Sequence, residues 1–308
     1  MSNKTTTAFI SVCGRPNVGK SSFINKAIGQ KVSIVSDKPQ TTRTRIMGVL
    51  NKGECQLVYI DTPGFHKPRN LLGENMIKDV NSGFVDANAV TLIIDANPSF
   101  KNDGIPKAEE ELINIIKSKK LPCILGINKI DLLEDKSKLL EIITKYSAAY
   151  DFEAVVPFSA KTGDGVDLLI EEQMKFAIFS PHYFDDETFT DQPDSRLVSE
   201  MIREKLLRSL DKEIPHGIAV DLERFFEREN ANGEPVITVG AVIYCERDSH
   251  KGIVIGKGGS MLKKIGTEAR IDIEKFFGCK VDLKLWVKVK EDWRNRGGII
   301  HELGLDGK

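Results

Sequence analysis

A glycine-rich segment near the N-terminus has the residue types and spacing of a phosphate-binding loop. Residues 14–21, Gly-Arg-Pro-Asn-Val-Gly-Lys-Ser, fit the pattern G-x-x-x-x-G-K-[ST] and stand between a strand-like and a helix-like segment. In such a loop the backbone N–H groups surround phosphate oxygens, and the start of the helix adds positive potential. Lys20 would reach the β- and γ-phosphates, and the hydroxyl of Ser21 would bind Mg²⁺. The alternative interpretation is a glycine-rich structural turn, which the strand–loop–helix context disfavours. The nucleotide-binding residues predicted here are Gly14, Arg15, Pro16, Asn17, Val18, Gly19, Lys20, Ser21 and Ser22.

A second motif, Asp61-Thr-Pro-Gly64, follows the strand-like run Val58–Ile60. The carboxylate of Asp61 could hold Mg²⁺ through a water molecule, and the backbone N–H of Gly64 could bind the γ-phosphate. Taken alone, D-x-x-G is a common turn, but its position behind a phosphate loop favours the functional interpretation. The nucleotide-binding residues predicted in this segment are Asp61, Thr62, Pro63, Gly64 and Phe65.

Two motifs later in the chain have the chemistry that recognises guanine. The carboxylate of Asp131, in Asn-Lys-Ile-Asp, can accept hydrogen bonds from the N1–H and the 2-amino group of guanine. Adenine has neither donor, so Asp131 would select GTP. Ser-Ala-Lys at 159–161 follows a predicted strand and could cap the base with a backbone N–H. The residues predicted at the base are Asn128, Lys129, Ile130, Asp131, Ser159, Ala160 and Lys161.

The four motifs, in this order, resemble the G-domain of the translation-factor-type GTPases. The run Gln40–Arg43, Asn17 and the run Asp61–Phe65 are similar to the TrmE–Era subgroup. The resemblance implies that Thr42 completes the Mg²⁺ shell; Thr41 is the competing candidate, and spacing cannot separate the two. It also implies that Asn17 helps to hold a K⁺ ion beside the phosphates, whose charge can replace an arginine finger. The catalytic residues that follow from this resemblance are Lys20, Asn17, Thr42 and Gly64.

The residue after Gly64 departs from many small GTPases, which have a water-orienting glutamine there. Phe65 stands at this position and cannot orient water. We therefore expect slow hydrolysis that depends on a cation or on a partner. A hydrophobic anchor for the switch segment is a second interpretation of Phe65, compatible with the first.

The C-terminal part carries a second glycine-rich loop, Gly-Lys-Gly-Gly at 256–259. A bare G-x-x-G indicates only a turn, but this one lies between helical segments in the predicted order helix, strand, strand, helix, helix, strand. That order is typical of a type II KH domain, whose loop clamps single-stranded RNA. Residues 247–296 contain 13 basic and 7 acidic residues, whereas residues 181–246 contain 7 basic and 15 acidic ones, so positive charge gathers around the loop. The RNA-binding residues predicted here are Gly256, Lys257, Gly258, Gly259, Lys263 and Lys264. An apolar groove beside the loop would be lined by residues that serve equally well as core, such as Ile253, Ile255 and Ile271.

Alternating strand and helix patterns must position these motifs. Apolar strands separated by amphipathic helices predict an α/β P-loop GTPase domain, a mostly parallel sheet covered by helices on both faces. The predicted strands of this domain are Ala8–Cys13, Ile46–Asn51, Gln56–Ile60, Ala89–Ile94, Cys123–Ile127 and Ala154–Phe158. The predicted helices are Lys20–Ile28, Leu71–Phe84, Lys107–Lys117, Lys136–Tyr150 and Val166–Phe179. Further on we predict the order helix, strand, strand, helix, helix, strand, with the two adjacent helices meeting near Gly266. In that order the elements are Leu197–Leu210, Ile218–Glu229, Val236–Arg247, Ile253–Ile265, Thr267–Phe277 and Val281–Val289. We thus predict a G-domain over residues 1–180, an acidic linker over 181–195 and an α+β type II KH domain over 196–308.

Over essentially the whole chain, one G-domain followed by a type II KH domain resembles the Era family of GTPases. The runs Ser199–Leu207, Glu213–His216 and Lys257–Gly266 carry the same resemblance. It implies a factor of small (30S) ribosomal subunit assembly that binds single-stranded 16S rRNA near its 3′ end, with a peripheral contact to the cell membrane. Two alternatives are a related GTPase acting on another RNA and an RNA-binding module with an inert nucleotide domain. The residues that argue against an inert domain are Lys20, Ser21, Asp61 and Asp131.

The composition is that of a folded protein of two domains. The 308 residues are about twice the ~150 residues usual for one domain. With 41% hydrophobic and 29% charged residues, a disordered or collagen-like chain is excluded. No apolar run approaches the ~18 residues of a membrane span, and we expect no secretion because the strand pattern begins directly after the first polar residues. The five cysteines are widely spaced and form no C-x-x-C, which argues against a disulfide framework or a zinc site and indicates the reducing cytosol. We expect a cytoplasmic monomer.

Overall fold

Two sheets form the framework of the protein. The computed structural model describes residues 5–38, 40–65, 68, 70–97, 104–135 and 137–306. A seven-stranded sheet comes from the N-terminal part of the chain, and a three-stranded sheet comes from the C-terminal part. Lys136, where one helix pattern begins, lies outside the described residues. Within the described ranges, every helix is too short or too polar to span a membrane.

The seven-stranded sheet has the mostly parallel topology that the sequence predicts. Its strands are β1 (Thr6–Cys13), β2 (Ile46–Lys52), β3 (Cys55–Asp61), β4 (Ala89–Asp95), β5 (Cys123–Asn128), β6 (Ala154–Pro157) and β7 (Ile178–Phe179). The order is β2-β3-β1-β4-β5-β6, with β7 paired to the start of β1. The pairs β2–β3 and β1–β7 are antiparallel, and the remaining pairs are parallel.

Helices cover both faces of this sheet and bury its strands. They are α1 (Lys20–Ile28), α2 (Leu71–Gly83), α3 (Lys107–Lys119), α4 (Ser137–Ala149) and α5 (Val166–Met174). One core cluster joins the sheet to α1 and α5, and a second joins it to α2, α3 and α4. The predicted α/β P-loop fold is therefore confirmed. The helix predicted over Val166–Phe179 is wrong beyond Met174, because Ile178 and Phe179 pair with Thr7 and Thr6 at the open end of β1.

The carboxyl ends of the parallel strands carry the predicted nucleotide motifs. The phosphate loop follows β1, Asp61 ends β3, and Asn128 ends β5. Ser159 comes two residues after the end of β6. Because these strands run in the same direction, the four motifs lie along one edge of the sheet, where α/β proteins bind their ligands.

The C-terminal part folds in the predicted order helix, strand, strand, helix, helix, strand. The elements are α6 (Asp194–Ser209), β8 (Ala219–Glu229), β9 (Pro235–Cys245), α7 (Asp248–Ile255), α8 (Ser260–Phe277) and β10 (Lys280–Val289), followed by α9 (Gly297–Glu302). The sheet order is β10-β9-β8, with β10 parallel and β8 antiparallel to β9. The three main helices pack on one face of this sheet around a core that includes Ile202, Val254 and Ile265. This is the type II KH arrangement.

The boundary between the two middle helices differs from the sequence prediction. The first helix ends at Ile255 and the second begins at Ser260, so Gly266 lies inside a continuous helix. Gly256 and Gly259 have φ of 73° and 79°, a conformation that interrupts a helix and suits glycine. Gly266 breaks nothing: its missing side chain lets α8 approach β10, since a Cβ there would lie 3.3 Å from Leu285.

The predicted linker packs along the edge of the large sheet. The side-chain amide of Gln56 accepts hydrogen bonds from the backbone of Tyr183 and Phe184 and donates one back to the carbonyl of Phe184. Further along, Thr190 pairs with Gly48 in β2. The acidic segment is thus an extended connection held against the G-domain. The domain limits 180/181 and 195/196 stay a prediction.

Candidate nucleotide site and nucleic-acid groove

The phosphate loop fits its surroundings only because two of its residues are glycine. Gly14 and Gly19 have φ of 145° and 99°. A Cβ on Gly14 would lie 2.2 Å from the carbonyl oxygen of Ile93, and one on Gly19 would lie 2.1 Å from the side-chain nitrogen of Asn128. Any side chain would therefore displace the loop from β4 and from the predicted guanine motif. The loop and the base-recognition segment form one packed unit.

Lys20 is buried at the inside of the loop. It is exposed by only 6%, and its Nζ donates hydrogen bonds to the carbonyl oxygens of Gly14 at 3.1 Å and Arg15 at 3.0 Å. Burial lowers the pKa of Lys20, and the nearby carboxylate of Asp61 opposes that shift. The ammonium is thus fixed inside the loop, where phosphates would be cradled.

Three side-chain oxygens meet beside Lys20. Ser21 Oγ donates to Asp61 Oδ2 at 2.9 Å and lies 3.1 Å from Thr42 Oγ1, which is 3.5 Å from the same carboxylate oxygen. Thr41 points elsewhere, because its hydroxyl donates to the carbonyl of Lys38 at 2.6 Å. Of the two threonines that spacing leaves open, the fold brings Thr42 to the cluster.

This cluster fits a magnesium ion. Hydroxyl and carboxylate oxygens are the ligands that Mg²⁺ prefers. Asp61 is fully buried, and its second oxygen, Oδ1, has no hydrogen-bond partner among the described residues. Burial raises the pKa of Asp61, and the charge of Lys20 lowers it in part. A buried carboxylate oxygen without a partner is the feature that a bound cation would satisfy.

The segment after Asp61 packs directly on the phosphate loop. A Cβ on Gly64 would lie 2.9 Å from the ring of Pro16, and the N–H of Phe65 donates to the carbonyl of Gly14 at 3.4 Å. The Phe65 ring packs against the core formed by α2, α3 and α4. This contact agrees with the interpretation of Phe65 as a hydrophobic anchor. Thr62 and Pro63 are buried, and Thr62 donates to the carbonyl of Val12 at 3.0 Å.

Two loop residues have side-chain partners outside the loop. Arg15 forms an ion pair with the buried Glu109 of α3 at 2.5 Å, so its backbone, and not its guanidinium, faces the loop interior. Asn17 has φ of 64°, and its amide donates to the carbonyl of Asp37 at 2.5 Å. The side chain of Asn17 therefore touches the backbone of the segment that contains Thr42. Pro16, Asn17 and Ser22 line the cavity at the loop together with residues from 34–36 and 40–42.

The predicted guanine motifs are assembled around Asn128. Its Oδ1 accepts from the N–H groups of Lys129 at 2.8 Å and Ala160 at 3.0 Å, and its Nδ2 donates to the carbonyl of Val18 at 2.8 Å. Asn128 thereby ties three motifs together.

Asp131 lies at the surface next to this unit. Its Oδ1 accepts from Ser159 Oγ at 2.6 Å, so the serine fixes the carboxylate that would read guanine. Lys129 has φ of 70° and pairs with Asp95 at 2.6 Å, while the N–H of Ile130 donates to the carbonyl of Phe158 at 3.4 Å. Lys161 is exposed in the following turn.

The second glycine loop opens onto a groove between α8 and β10. The loop residues Lys257 and Gly258 are exposed, and Gly258 has φ of 59°. The groove is lined by Gly259, Leu262, Lys263, Gly266, Thr267, Arg270, Leu283 and Leu285. It combines an apolar floor with the positive side chains of Lys263 and Arg270, the chemistry that suits single-stranded RNA.

Of the predicted residues, Gly259 and Lys263 line this groove and Gly256, Lys257 and Gly258 belong to the loop beside it, whereas Lys264, Ile253, Ile255 and Ile271 are not among its lining residues. Lys264 is exposed on another side of α8 and reaches Glu268 at 4.0 Å. Ile253 and Ile271 are neither core nor lining, with exposures of 49% and 54%. The sequence prediction missed Leu283 and Leu285, although the strict alternation of β10 gives them a common face.

A set of contacts that no motif indicates joins the two domains; we call it the interdomain clamp (Arg43, Arg203 and Glu204). Arg43 follows Thr42 directly and is exposed by only 3%. Its guanidinium donates to the carbonyl oxygens of Ile218 at 2.6 Å and His216 at 3.0 Å, and it lies 5.6 Å from the centre of the Trp293 ring. All three of these partners belong to the C-terminal part of the chain.

Helix α6 contributes the other two residues of the interdomain clamp, which contact segment 31–43. Arg203 donates to the carbonyl of Thr41, and Glu204 accepts the N–H of Val35 at 3.2 Å and pairs with Lys31. The segment 31–43, which contains the predicted Mg²⁺ ligand, is therefore held at several points by the KH domain. Its partners lie more than 160 residues away in the chain, so local sequence patterns carry no signal for them.

The segment after Gly64 also reaches the KH domain. Leu72 and Met76 of α2 pack with Val242 and Tyr244 of β9 around the buried Trp293. Segment 31–43 and the segment after Gly64, which lie on either side of the phosphates in the predicted site, thus both contact the C-terminal domain.

The P-loop sheet carries a phosphate loop, an oxygen cluster suited to Mg²⁺ and a set of residues suited to guanine, and it is joined to a type II KH fold. Together these features define a GTPase with an RNA-binding domain. Comparison with known proteins agrees: residues 9–129 match the family described as 50S ribosome-binding GTPase, and residues 213–294 match the KH domain family. GTPase Era of Ruminiclostridium cellulolyticum is 46% identical over 299 residues, 97% of each chain. GTPase Era of Clostridioides difficile is 45% identical over 98% of this chain and 99% of its own. The chain belongs to the Era family of GTPases, and its activity is the hydrolysis of GTP.

Two solved structures are similar over both domains. Era of Aquifex aeolicus, a variant bound to GDP and AlF₄⁻, superposes with a TM-score of 0.90 at 33% identity and covers 98% of this chain and 99% of its own. Era in complex with MgGDPNP and nucleotides 1506–1542 of 16S ribosomal RNA superposes with a TM-score of 0.91 at 33% identity and the same coverage. The likeness therefore includes the relative placement of the two domains.

Proposed function

We propose that this GTPase binds single-stranded 16S rRNA near its 3′ end under the control of its nucleotide, as a factor of small (30S) ribosomal subunit assembly. The observation that carries the proposal is the double contact between the G-domain and the KH domain. Arg43, next to Thr42, binds carbonyls of the KH domain, and α2, which follows Gly64, packs on β9. A change at the γ-phosphate would move both contacts together.

The RNA partner is proposed from the groove and from a relative. The groove between α8 and β10 has the composition expected for single-stranded RNA, and the similar Era structure contains nucleotides of 16S rRNA. The description "50S ribosome-binding GTPase" belongs to a family matched over residues 9–129, which end before the KH domain. We therefore assign the small subunit, whose RNA the relative binds.

The catalytic arrangement follows from the chain's own groups. We propose that Ser21, Thr42 and Asp61 hold Mg²⁺, an ion that also occurs in the relative bound to MgGDPNP. Bound Mg²⁺ would neutralise charge on the β- and γ-phosphates. Lys20 and the loop N–H groups stabilise the charge of the transferring phosphoryl group, and the N–H of Gly64 would bind its oxygen.

A potassium ion is a further part of the proposal. Phe65 is apolar and partly buried, so it supplies neither a base nor an orienting group for water. The side-chain N–H of Asn17 donates to the backbone carbonyl of Asp37. The side-chain oxygen of Asn17 and the carbonyl oxygen of Asp37 are therefore both near the loop, and both are of a kind that binds cations. A monovalent cation held there would add positive charge where an arginine finger acts in other GTPases.

The proposal also covers the location and the assembly state of the protein. The five cysteines are free and four of them are buried, which agrees with a reducing cytoplasm. We propose a monomer, to be tested by sedimentation. The peripheral membrane contact implied by the resemblance stays a prediction that vesicle flotation would test.

The test of the proposal is the RNA affinity of the full chain in two nucleotide states. Binding of a labelled oligomer of the 16S rRNA 3′ end is measured by fluorescence anisotropy with GDP and with a non-hydrolysable GTP analogue. We expect binding to need the glycine loop, since Gly258→Asp places a negative charge where a phosphate should pass. We also expect the affinity to differ between the two nucleotides. Equal binding by wild type and folded Gly258→Asp would contradict the KH assignment, and equal affinity in both nucleotide states would contradict the control by GTP.

A further inference from the structure

The KH sheet has a second face, opposite the helices, that is only partly covered. Alternate residues of β9, such as Val239 and Ala241, point into the helical core. The residues between them point to the other side, where Val242 and Tyr244 are covered by α2 and α9. Elsewhere on that side the side chains of Arg224, Phe226, Lys284 and Trp286 are exposed around the buried Gly240. We call this part the outer sheet face and define it by Arg224, Phe226, Gly240, Lys284 and Trp286.

The register of the three strands places these residues in an ordered pattern. Arg224 and Lys284 are the partners of Gly240 on either side, so two cations flank a residue without a side chain. Phe226 lies opposite Thr238, and Trp286 lies opposite Val242. Gly240 is midway between Thr238 and Val242, whose backbone positions are about 13 Å apart along β9, so the basic row lies between the two strand positions that carry aromatic residues.

Gly240 is covered by two neighbouring side chains on the outer sheet face. A Cβ on Gly240 would lie 3.2 Å from Cβ of Arg224 and 3.3 Å from Cζ3 of Trp286. The Trp286 ring and the Arg224 stem therefore lean over the glycine from opposite sides. The backbone at residue 240 is therefore buried beneath these two side chains, and the exposed surface of this face is made by Arg224, Phe226, Lys284 and Trp286.

The aromatic side chains of this face stay exposed although the core is close by. Phe226 is exposed by 50% and Trp286 by 42%, whereas the chain's other tryptophan, Trp293, is fully buried. Single exposed apolar residues are common on protein surfaces and need no explanation. Two aromatic rings on either side of a basic row are a more specific arrangement, because this is the composition of surfaces that stack bases and bind phosphates.

The charges of the face favour an anionic partner. Lys288 pairs with Glu223 at 2.9 Å, and Arg228 lies 3.7 Å from Asp282, so two of its cations are neutralised within the sheet. For Arg224 and Lys284, the part of the chain described by the structure offers no ion pair within 4.0 Å. These two flank Gly240 and are available to phosphates.

We propose that the outer sheet face is a second RNA-contact surface, which stacks bases on Trp286 and Phe226 and binds the RNA backbone with Arg224 and Lys284. This inference rests on the proposed RNA binding in the groove and extends it. The strand β10 lies at the edge of the sheet and belongs to both surfaces: Leu285 lines the groove, and its neighbours Lys284 and Trp286 face the other side. An RNA strand that continues beyond the groove can cross this edge and lie on the outer sheet face.

The experiment compares a short and a long RNA on the full chain. The short oligomer covers about four nucleotides, the length that a KH loop clamps; the long one extends the same 16S rRNA 3′-end sequence in both directions. We expect Trp286→Ala to weaken binding of the long RNA by about 5- to 100-fold, the usual effect of losing one stacked base, and to leave the short RNA unaffected. Trp286→Phe keeps a ring and should lose much less. Phe179→Ala removes an exposed aromatic ring of the G-domain and is the matched control, with no expected loss.

Tryptophan fluorescence gives an independent reading. Because Trp293 is buried and donates to the carbonyl of Gly217 at 2.9 Å, a quenching of emission by RNA reports on Trp286. The long RNA should quench wild type and should have little effect on Trp286→Phe. The short RNA should quench neither.

The outcomes separate this inference from the proposed function. If wild type binds neither RNA, the proposed function itself fails. If wild type binds both and Gly258→Asp binds neither, but Trp286→Ala keeps wild-type affinity for the long RNA, the outer sheet face has no role in RNA binding. A change of sedimentation in Trp286→Ala without a change in RNA affinity would mean that the face binds protein, and would also overturn the inference.

Discussion

Replacing Arg43 by methionine removes a direct link between the segment that contains Thr42 and the KH domain. Methionine keeps an aliphatic chain against Trp293, but the donors to the carbonyls of Ile218 and His216 disappear. Two backbone carbonyls at the domain boundary then lose their partner. If the clamp transmits the state of Thr42, this variant should bind both nucleotides and RNA yet no longer couple them.

The magnitude follows from the contacts. A hydrogen bond from a charged donor is worth ~1.5–3 kcal/mol, so two of them give about 3–6 kcal/mol before other terms. Burial and the neighbouring Arg203 hold the pKa of Arg43 well below its usual range, which means that the charged guanidinium is costly at this place. We therefore expect a net loss of about 2 kcal/mol in the contact, equivalent to a coupling factor of about 30.

The assay is the ratio of RNA affinities measured with the GTP analogue and with GDP. Arg45→Met is the matched control, since Arg45 lies two residues further on and pairs with Asp86 of the same domain at 3.1 Å. The ratio should fall towards one in Arg43→Met and stay at the wild-type value in Arg45→Met, with circular dichroism showing that both variants are folded. A folded Arg43→Met that keeps the wild-type ratio would refute the clamp as the route of coupling.

Three further predictions concern the nucleotide site and the stability of the fold. Asp131→Asn should weaken GTP binding by at least 100-fold, because a site built around a substrate's hydrogen bonds discriminates by ~10⁴ or more. The same variant should bind xanthosine triphosphate more tightly than wild type does. Unchanged GTP affinity by calorimetry would count against the guanine assignment. Replacing K⁺ by Na⁺ at constant ionic strength should slow hydrolysis in wild type, and Asn17→Ala should lose most of this difference in a phosphate-release assay; identical rates in both salts would leave a partner-supplied group as the better explanation. Asp79 is buried in α2, and burial raises its pKa from 3.8 to about 6. Between these two pH values the folded state holds a proton that the unfolded chain releases, so the free energy of unfolding falls as the pH rises from 3.8 to about 6. Asp79→Asn should therefore raise the free energy of unfolding by about 2 kcal/mol at pH 7 and have little effect near pH 4; an equal gain at both pH values in urea denaturation would show that the carboxylate's charge is not the cause.

Much of the nucleotide site could be predicted because its signals are local. The phosphate loop needs glycines at fixed places, and Gly14 and Gly19 have positive φ and no room for a side chain. The choice between Thr41 and Thr42 could not be made from spacing, since adjacent residues differ only in direction. The fold separates them: Thr41 binds the carbonyl of Lys38, and Thr42 faces Ser21.

The KH domain shows where sequence reasoning reaches its limit. The order of elements and the glycine loop are predictable from the sequence, but the pattern predicts a helix boundary near Gly266 because a glycine in a helix pattern indicates a break. Its actual role, a close approach to Leu285, depends on a strand about twenty residues later. The interdomain clamp is less accessible still, because Arg43 and Ile218 meet only after both domains have folded.

The most direct test of the account is a closed thermodynamic cycle on the wild-type chain. The affinity for the GTP analogue and for GDP is measured with and without a saturating 16S rRNA 3′-end oligomer, beside the RNA affinities in both nucleotide states. Because coupling between two sites is reciprocal, RNA must change the ratio of nucleotide affinities by the same factor by which the nucleotide changes RNA affinity. The account predicts a common factor clearly above one. Nucleotide affinities that do not respond to bound RNA would contradict the central claim that the G-domain controls the KH domain.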